Sequence, residues 1–231
     1  MGLCRRDAQA IRALAASTRP TLEVAQESSA NLLRIVFSEK NASARGPAIF
    51  IDRDGVINQC RAGDYVLDWS QFVFMPGIRE ALKQLTTLRL PMIVISNQAA
   101  VGKGLLDRVG LEEITSKMYD ALAADGTFLA AAYYCPHRPD EDCPCRKPKP
   151  ALLLNAADDF NIDLRRSIFI GDSDTDVQAA RAACCASVLF TSNIGPQPIS
   201  STVLPTAHCV KDLFSLVASY VQSTQRTESG C

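Results

Sequence analysis

No apolar run in this chain approaches the roughly 18 residues needed to span a bilayer. Nor does the amino terminus carry the apolar core and cleavage site of a secretory signal. Met1-Gly2 is followed by Arg6 where a myristoylation signal has Ser or Thr. Charge of one sign is missing as well: 24 Lys and Arg stand against 25 Asp and Glu, a formal net charge of -1. That balance argues against a nucleic-acid or membrane-surface protein. There is no internal repeat and no long low-complexity linker. Nine cysteines in 231 residues do not form a disulfide framework. Cys4, Cys60, Cys209 and Cys231 show no pairing pattern, and the adjacent Cys184 and Cys185 read as small buried apolar residues of an Ala-rich helix. A reducing cytoplasm fits this usage, and a monomer is expected.

What the chain does have is core-forming residues, 47% hydrophobic, enough for one substantial domain. Residues 1–45 read as an N-terminal extension, disordered or helical. They hold Arg5, Arg6, Arg12, Arg19 and Arg34 against few acids, with frequent Ala and Ser. Over residues 46–222 short apolar runs alternate with helix-length segments. Strands are predicted at Ala48–Ile51, Pro91–Ile95, Phe128–Tyr134, Ser167–Ile170 and Ala186–Phe190, and a weaker one at Ala207–Val210. Helices are predicted from Gly77 to about Leu88, over Leu111–Ala124, Ala151–Phe160 and Asp174–Ala183, and near Leu213–Val221. Ser223–Cys231 reads as a frayed polar tail. This alternation predicts an α/β fold: a Rossmann-like parallel sheet with helices on both faces. No large cap domain interrupts it between Asn58 and Pro76 or between Gln98 and Tyr133.

Three polar sequences each follow an apolar strand directly: Asp52-Arg53-Asp54, Ser96-Asn97-Gln98 and Asp172–Asp176. In a parallel sheet such strand ends converge at one edge, where open α/β sheets bind their ligands. Alternation along an extended chain points Asp52 and Asp54 the same way. Two carboxylates there need a cation, and magnesium suits carboxylate oxygens beside a phosphate. A second cluster is more specific. Cys135-Pro136-His137, five residues, then Cys143-Pro144-Cys145 place three thiols and an imidazole within eleven residues. Four such ligands match a tetrahedral, closed, structural zinc site, a small zinc-bound loop that orders the segment carrying Arg146 and Lys147. The guanidinium of Arg146 suits an anionic or polyhydroxyl substrate. His208 is isolated.

The four motifs D-R-D-G-V-I-N, S-N-Q, C-R-K-P-K-P and G-D-S-D-T-D resemble, in order, those of haloacid-dehalogenase-type phosphatases. The resemblance covers about residues 47–222 and leaves the first 45 unmatched. It is closer to the zinc-containing branch, which holds the heptose-bisphosphate and histidinol-phosphate phosphatases. It implies Asp52 as nucleophile, Asp54 as general acid and base, and Ser96 and Lys147 as donors to the phosphate. Magnesium would be held by Asp52, the carbonyl of Asp54, and Asp172. Asp176 would orient these ligands, and Asp174 would be an exposed helix start. Asp64 and Tyr65 match a sugar-contacting stretch, with Asn97 and Gln98 lining the same site. The expectation is a phosphomonoesterase acting on a small phosphorylated sugar, best the 7-phosphate of a heptose 1,7-bisphosphate. The alternatives are histidinol phosphate as substrate and, in another class, a zinc-stabilised binding protein without catalysis.

Overall fold

The computed structural model describes residues 21–23, 32–37, 45–60, 64–190 and 210–226. Seven strands form one sheet: β1 (Thr21–Glu23), β2 (Leu33–Val36), β3 (Ile49–Ile51), β4 (Met92–Asn97), β5 (Ala131–Cys135), β6 (Ile168–Gly171) and β7 (Ala186–Leu189). Their spatial order is β1-β2-β5-β4-β3-β6-β7. The five strands from β5 to β7 are parallel, while at one edge β2 runs antiparallel to β5 and β1 antiparallel to β2. From β3 the chain steps outward to β4 and β5, then returns across to β6 and β7. The switch in direction therefore falls between β3 and β6, where an α/β sheet opens a crevice at its strand ends.

Alternate residues of each central strand feed opposite faces. Ile49, Ile51, Met92, Val94, Tyr134, Ile168 and Ile170 join one buried cluster. It is covered by α1 (Ile78–Thr86), α3 (Arg108–Ala124) and α6 (Val210–Arg226). Phe50, Ile93, Ile95, Tyr133 and Phe169 join the other cluster, under α4 (Ala151–Phe160) and α5 (Asp174–Ala182). In α1 the apolar positions Ile78, Ala81, Leu82 and Leu85 make the expected i, i+3, i+4, i+7 stripe, and all four are buried. No helix among the described residues is long and apolar enough to cross a membrane.

The structure departs from the sequence expectation in four places. The segment read as an extension supplies β1 and β2: Leu33 and Ile35 are buried, and Val36 pairs with Ala131. The run Leu32–Phe37 has strand-like alternation, but its arginine-rich surroundings masked it. Second, β4 continues through Ser96 and Asn97, because these residues pair with Tyr134 and Cys135 of β5. Third, a short helix α2 (Ala99–Gly102) follows at once. Fourth, α6 runs to Arg226, beyond the start expected for the tail. The weak strand expected at Ala207–Val210 falls, up to residue 209, outside the described residues, and Val210 opens α6. Between Asn58 and Pro76 the described chain holds one 3-10 turn at Trp69–Gln71 rather than an inserted domain. There Trp69 stacks on Phe72 with ring centres 4.9 Å apart, packing against the core.

If β2 belongs to the folded unit, Ile35→Ala should destabilise the protein by about 2–5 kcal/mol, as truncation of a buried isoleucine does. Urea unfolding checks it. An unchanged midpoint would mean that this strand is not part of the cooperative domain.

Candidate active site and metal centre

Asp52 leaves the end of β3 buried, at 6% exposure, and Lys147 reaches it from the loop ahead of α4. The Lys147 Nζ lies 2.9 Å from Asp52 Oδ2 and 2.6 Å from Asp176 Oδ1, and donates to the Ile95 carbonyl at 3.1 Å. The ammonium thus forms ion pairs with both carboxylates and a hydrogen bond to one carbonyl. The lysine backbone is fixed too: its N–H donates to Asn97 Oδ1 at 3.0 Å, and Asn97 Nδ2 donates to its carbonyl at 3.2 Å. Asp176 is held by the start of α5, accepting at Oδ2 from the backbone N–H groups of Asp172 and Ser173 and from the Ser173 hydroxyl.

Asp54 sits in a separate shell made only of donors. Arg53 forks onto both of its oxygens at 3.1–3.2 Å, Asn58 Nδ2 donates to Oδ1 at 2.9 Å, and Gln98 Nε2 donates to Oδ2 at 2.6 Å. The second hydrogen of Gln98 Nε2 goes to Ser96 Oγ at 3.0 Å, and its Oε1 accepts from Arg53 Nη2 at 2.8 Å. Gly55 makes the fit between the first and last motifs. A Cβ there would stand 1.8 Å from Asp172 Oδ2, and its φ of +89° suits glycine.

These surroundings split the carboxylates. Burial, then the nearby Asp176, Asp172 and Asp54, push Asp52 up to about 8 in spite of Lys147. Partial burial and Asp176 push Asp172 up to about 6. Burial would raise Asp54 too, but Arg53 and the hydrogen bonds from Asn58 and Gln98 hold it below the usual carboxylate range. The resemblance implies Asp52 ionised as a cation ligand and Asp54 able to hold a proton, and a cation at Asp52 would favour its ionised form. The split arises because four carboxylates here face two cations, Arg53 and Lys147, and the donors are concentrated on Asp54. Oxygens of Asp52, Asp172 and Asp176 lie within 4.8 Å of one another. A hard divalent cation fits this set, since it supplies the missing positive charge and takes carboxylate oxygens.

The second centre lies beside it. Cys135 ends β5, and Cys143 and Cys145 return along the following loop. Their sulfurs are 3.5 Å (Cys135–Cys143) and 3.7 Å (Cys143–Cys145) apart, and His137 Nδ1 lies 3.6 Å from Cys135 and 3.3 Å from Cys145. A tetrahedral zinc has ligand-to-ligand edges of about 3.6–3.8 Å, given Zn–S near 2.3 Å and Zn–N near 2.0 Å. These edges lie within about 0.3 Å of that geometry, so the four side chains fit a zinc site. Hydrogen bonding from Cys145 pushes the Cys135 thiol down to about 5, while the same hydrogen bond, then burial, pushes Cys145 up. Without a cation the cluster favours one thiolate, and a divalent metal would stabilise all three. Arg146 Nη1 donates to the His137 carbonyl at 3.3 Å, tying it to this loop.

The geometry thus brings together Asp52, Asp54, Ser96, Asn97, Gln98, Lys147 and Asp172, with Cys135, His137, Cys143 and Cys145 in the adjoining lobe. Asn97 and Gln98, expected to line the substrate, spend their side chains inside the protein, on Lys147 and on Asp54, Ser96 and Arg53. Asp64 is exposed and makes no side-chain bond to the cluster among the described contacts, whereas the Tyr65 hydroxyl accepts from Lys103 at 2.8 Å. The sequence reading missed Arg53 and Asn58, both fully buried. The alternation that aligned Asp52 with Asp54 also turns Arg53 inward, so a signal for it was present.

A family model for the haloacid dehalogenase-like hydrolases matches residues 6–183, so the match begins well before the residue 47 expected from the motifs. A D-glycero-beta-D-manno-heptose-1,7-bisphosphate 7-phosphatase from Pseudomonas aeruginosa is 33% identical over 171 residues, covering 74% of this chain and 95% of the relative. A D-glycero-alpha-D-manno-heptose-1,7-bisphosphate 7-phosphatase from Mycobacterium bovis is 40% identical over 153 residues, 61% of this chain and 77% of the relative. Among solved structures, D,D-heptose 1,7-bisphosphate phosphatase from Bordetella bronchiseptica, complexed with magnesium and phosphate, superposes with a TM-score of 0.63 at 33% identity. That match covers 78% of this chain and 99% of the other.

Raised carboxylates bind more protons in the folded than in the unfolded state between about pH 4 and 8, so they make stability fall as pH rises through that window. A divalent cation displaces those protons. Magnesium should therefore raise the melting temperature of chelator-treated protein more at about pH 8 than at about pH 5. Calorimetry checks it, and an equal or larger shift at the lower pH would rule out this carboxylate set as the cation site.

Proposed function

The chain belongs to the haloacid dehalogenase-like hydrolases, and from that premise we propose that it is a magnesium-dependent phosphomonoesterase. Its substrate in this reading is a small phosphorylated sugar, specifically the 7-phosphate of D-glycero-D-manno-heptose 1,7-bisphosphate. The chemistry rests above all on one observation: a buried Asp52 with Lys147 2.9 Å away, beside an Asp54 held in its own separate shell. The choice of sugar rests on relatives of that name at 33% and 40% identity.

In this reading an Asp52 oxygen forms a bond to phosphorus as the bond from phosphorus to the sugar oxygen breaks. Asp54, having taken up a proton from solvent, gives it to the departing oxygen, releasing the alcohol and leaving an aspartyl-phosphate. A water then attacks that phosphorus and gives a proton to Asp54, and phosphate leaves Asp52 regenerated. Magnesium, held by Asp52, Asp172 and the carbonyl of Asp54, would supply positive charge against the dianionic ester. Lys147 compensates the charge of Asp52 and Asp176, and Ser96 offers its hydroxyl to the phosphate oxygens. Arg146, Asp64 and Tyr65 are assigned to the sugar or its second phosphate. Zinc on Cys135, His137, Cys143 and Cys145 is structural, because four protein ligands leave no open position for water.

Purified protein should release phosphate from the heptose bisphosphate at least about tenfold more efficiently than from histidinol phosphate, and Asp52→Asn should lose about 10³-fold or more of that activity. A reversed preference would move the substrate to histidinol phosphate. Equally poor release by wild type and Asp52→Asn would leave a non-catalytic binding protein.

Replacing Cys143 and Cys145 together by serine should remove zinc by elemental analysis and lower activity at least about tenfold, with the sheet still folded by circular dichroism. Full activity in a zinc-free protein would show that the loop orders itself without metal.

A further inference from the structure

Gln98 lies at the join between the zinc lobe and the carboxylates. Its side chain is 3% exposed, and every polar atom on it is used. The oxygen takes a hydrogen from the cationic Arg53 at 2.8 Å, and the nitrogen gives one to the Asp54 carboxylate at 2.6 Å and one to the Ser96 hydroxyl at 3.0 Å. The amide dipole is thereby oriented one way only. Reversed, it would set oxygen against carboxylate and N–H against guanidinium. As acceptor in its bond from Gln98, Ser96 keeps its own hydrogen to donate.

The backbone of Gln98 is held from the other side. Its N–H donates to the carbonyl of Cys135, one of the four clustered ligands, at 2.7 Å. Four residues further on, at the last residue of α2, the Gly102 N–H donates to the Pro136 carbonyl at 2.8 Å. A Cβ at Gly102 would meet that carbonyl at 2.6 Å, so glycine allows this close approach. Thus the loop between Cys135 and His137 grips both ends of α2, and α2 begins where Gln98 reaches Asp54.

We infer that Gln98 is a positioning residue for Asp54 and Ser96, anchored by the zinc loop and not by substrate. This rests on the phosphatase reading above and adds a second route by which zinc acts. Cys145 leads through Arg146 to Lys147 and Asp52, while Cys135 leads through Gln98 to Asp54. The two halves of the reaction are then aligned by one metal loop that touches neither reacting atom.

The test is steady-state phosphate release from heptose 1,7-bisphosphate by wild type, Gln98→Met and Gln98→Asn. Methionine keeps the length and volume but none of the hydrogen bonds. Asparagine keeps the amide but is one methylene too short to span Arg53 and Asp54. Both should lower kcat about 10- to 100-fold, as a displaced catalytic group does, with KM within about threefold and zinc content unchanged. A raised KM with kcat retained would make Gln98 a substrate contact and overturn the inference. Unchanged kcat and KM with a lower melting temperature would make it merely structural and overturn it equally. Should Gln98→Met fail to fold, Gln98→Asn decides by the same split. Wild-type protein inactive on this substrate and on a wider sugar-phosphate panel would instead sink the phosphatase reading itself.

Discussion

A single ammonium group bridges two buried carboxylates at the floor of this site, and the rest of the architecture follows from the need to keep it there. Lys147 is 4% exposed, Asp52 6% and Asp176 1%. Charges so far from water are tolerated only when paired, and removing one partner of such a set typically costs about 3–5 kcal/mol. Burial alone would drive Lys147 toward its neutral form, but Asp52 and Asp176 more than offset it and push its pKa up. The charge is thus fixed, and so is its place. Asn97 holds its backbone, the Ile95 carbonyl accepts one of its hydrogens, and the metal-ligating loop leads directly into it.

That arrangement remains short of positive charge, and the shortage is functional. Asp52 and Asp172 are held high because too many carboxylates share one crevice, which is the condition that invites a divalent cation. Asp54 escapes this because Arg53, Asn58 and Gln98 surround it with donors alone. In the proposed reaction Asp54 takes up a proton and gives it away again, and this donor shell holds its carboxylate form between those steps. Two acids two residues apart thus acquire different chemistry from their neighbours, not from their own identity.

The zinc lobe answers a different problem. The segment from Cys135 to Pro150 leaves the sheet with little apolar surface of its own beyond its cysteines, yet it must hold Lys147 against Asp52 and Asp176. Four ligands at tetrahedral spacing do what a core would otherwise do. Because Cys135 lies at the end of β5 and Cys145 two residues before Lys147, the same centre anchors the loop to the sheet and aims its cation. The backbone bonds from Gln98 and Gly102 extend that anchoring to α2.

Much of this was legible along the chain. The Asp52–Asp54 pair, the Ser96 loop, the Cys-His cluster with Lys147 behind it, and Asp172 are local patterns whose residue types and spacing carry their chemistry. The alternation of apolar runs with helical periodicity carried the parallel sheet and its two covered faces. What local pattern could not carry was pairing at a distance. That β2 joins the sheet depends on β5 offering an edge, and that Gln98 faces Asp54 rather than a ligand depends on Arg53 being turned beneath it. The split between Asp52 and Asp54 depends on donors reaching Asp54 from two segments, Arg53 and Asn58 after β3 and Gln98 ahead of α2. The sequence by itself determined which groups are present and at which strand ends they emerge, because backbone alternation and spacing are properties of the chain. Only the tertiary structure decided which partner each charge meets, because electrostatics and hydrogen bonding act through space across a low-dielectric interior.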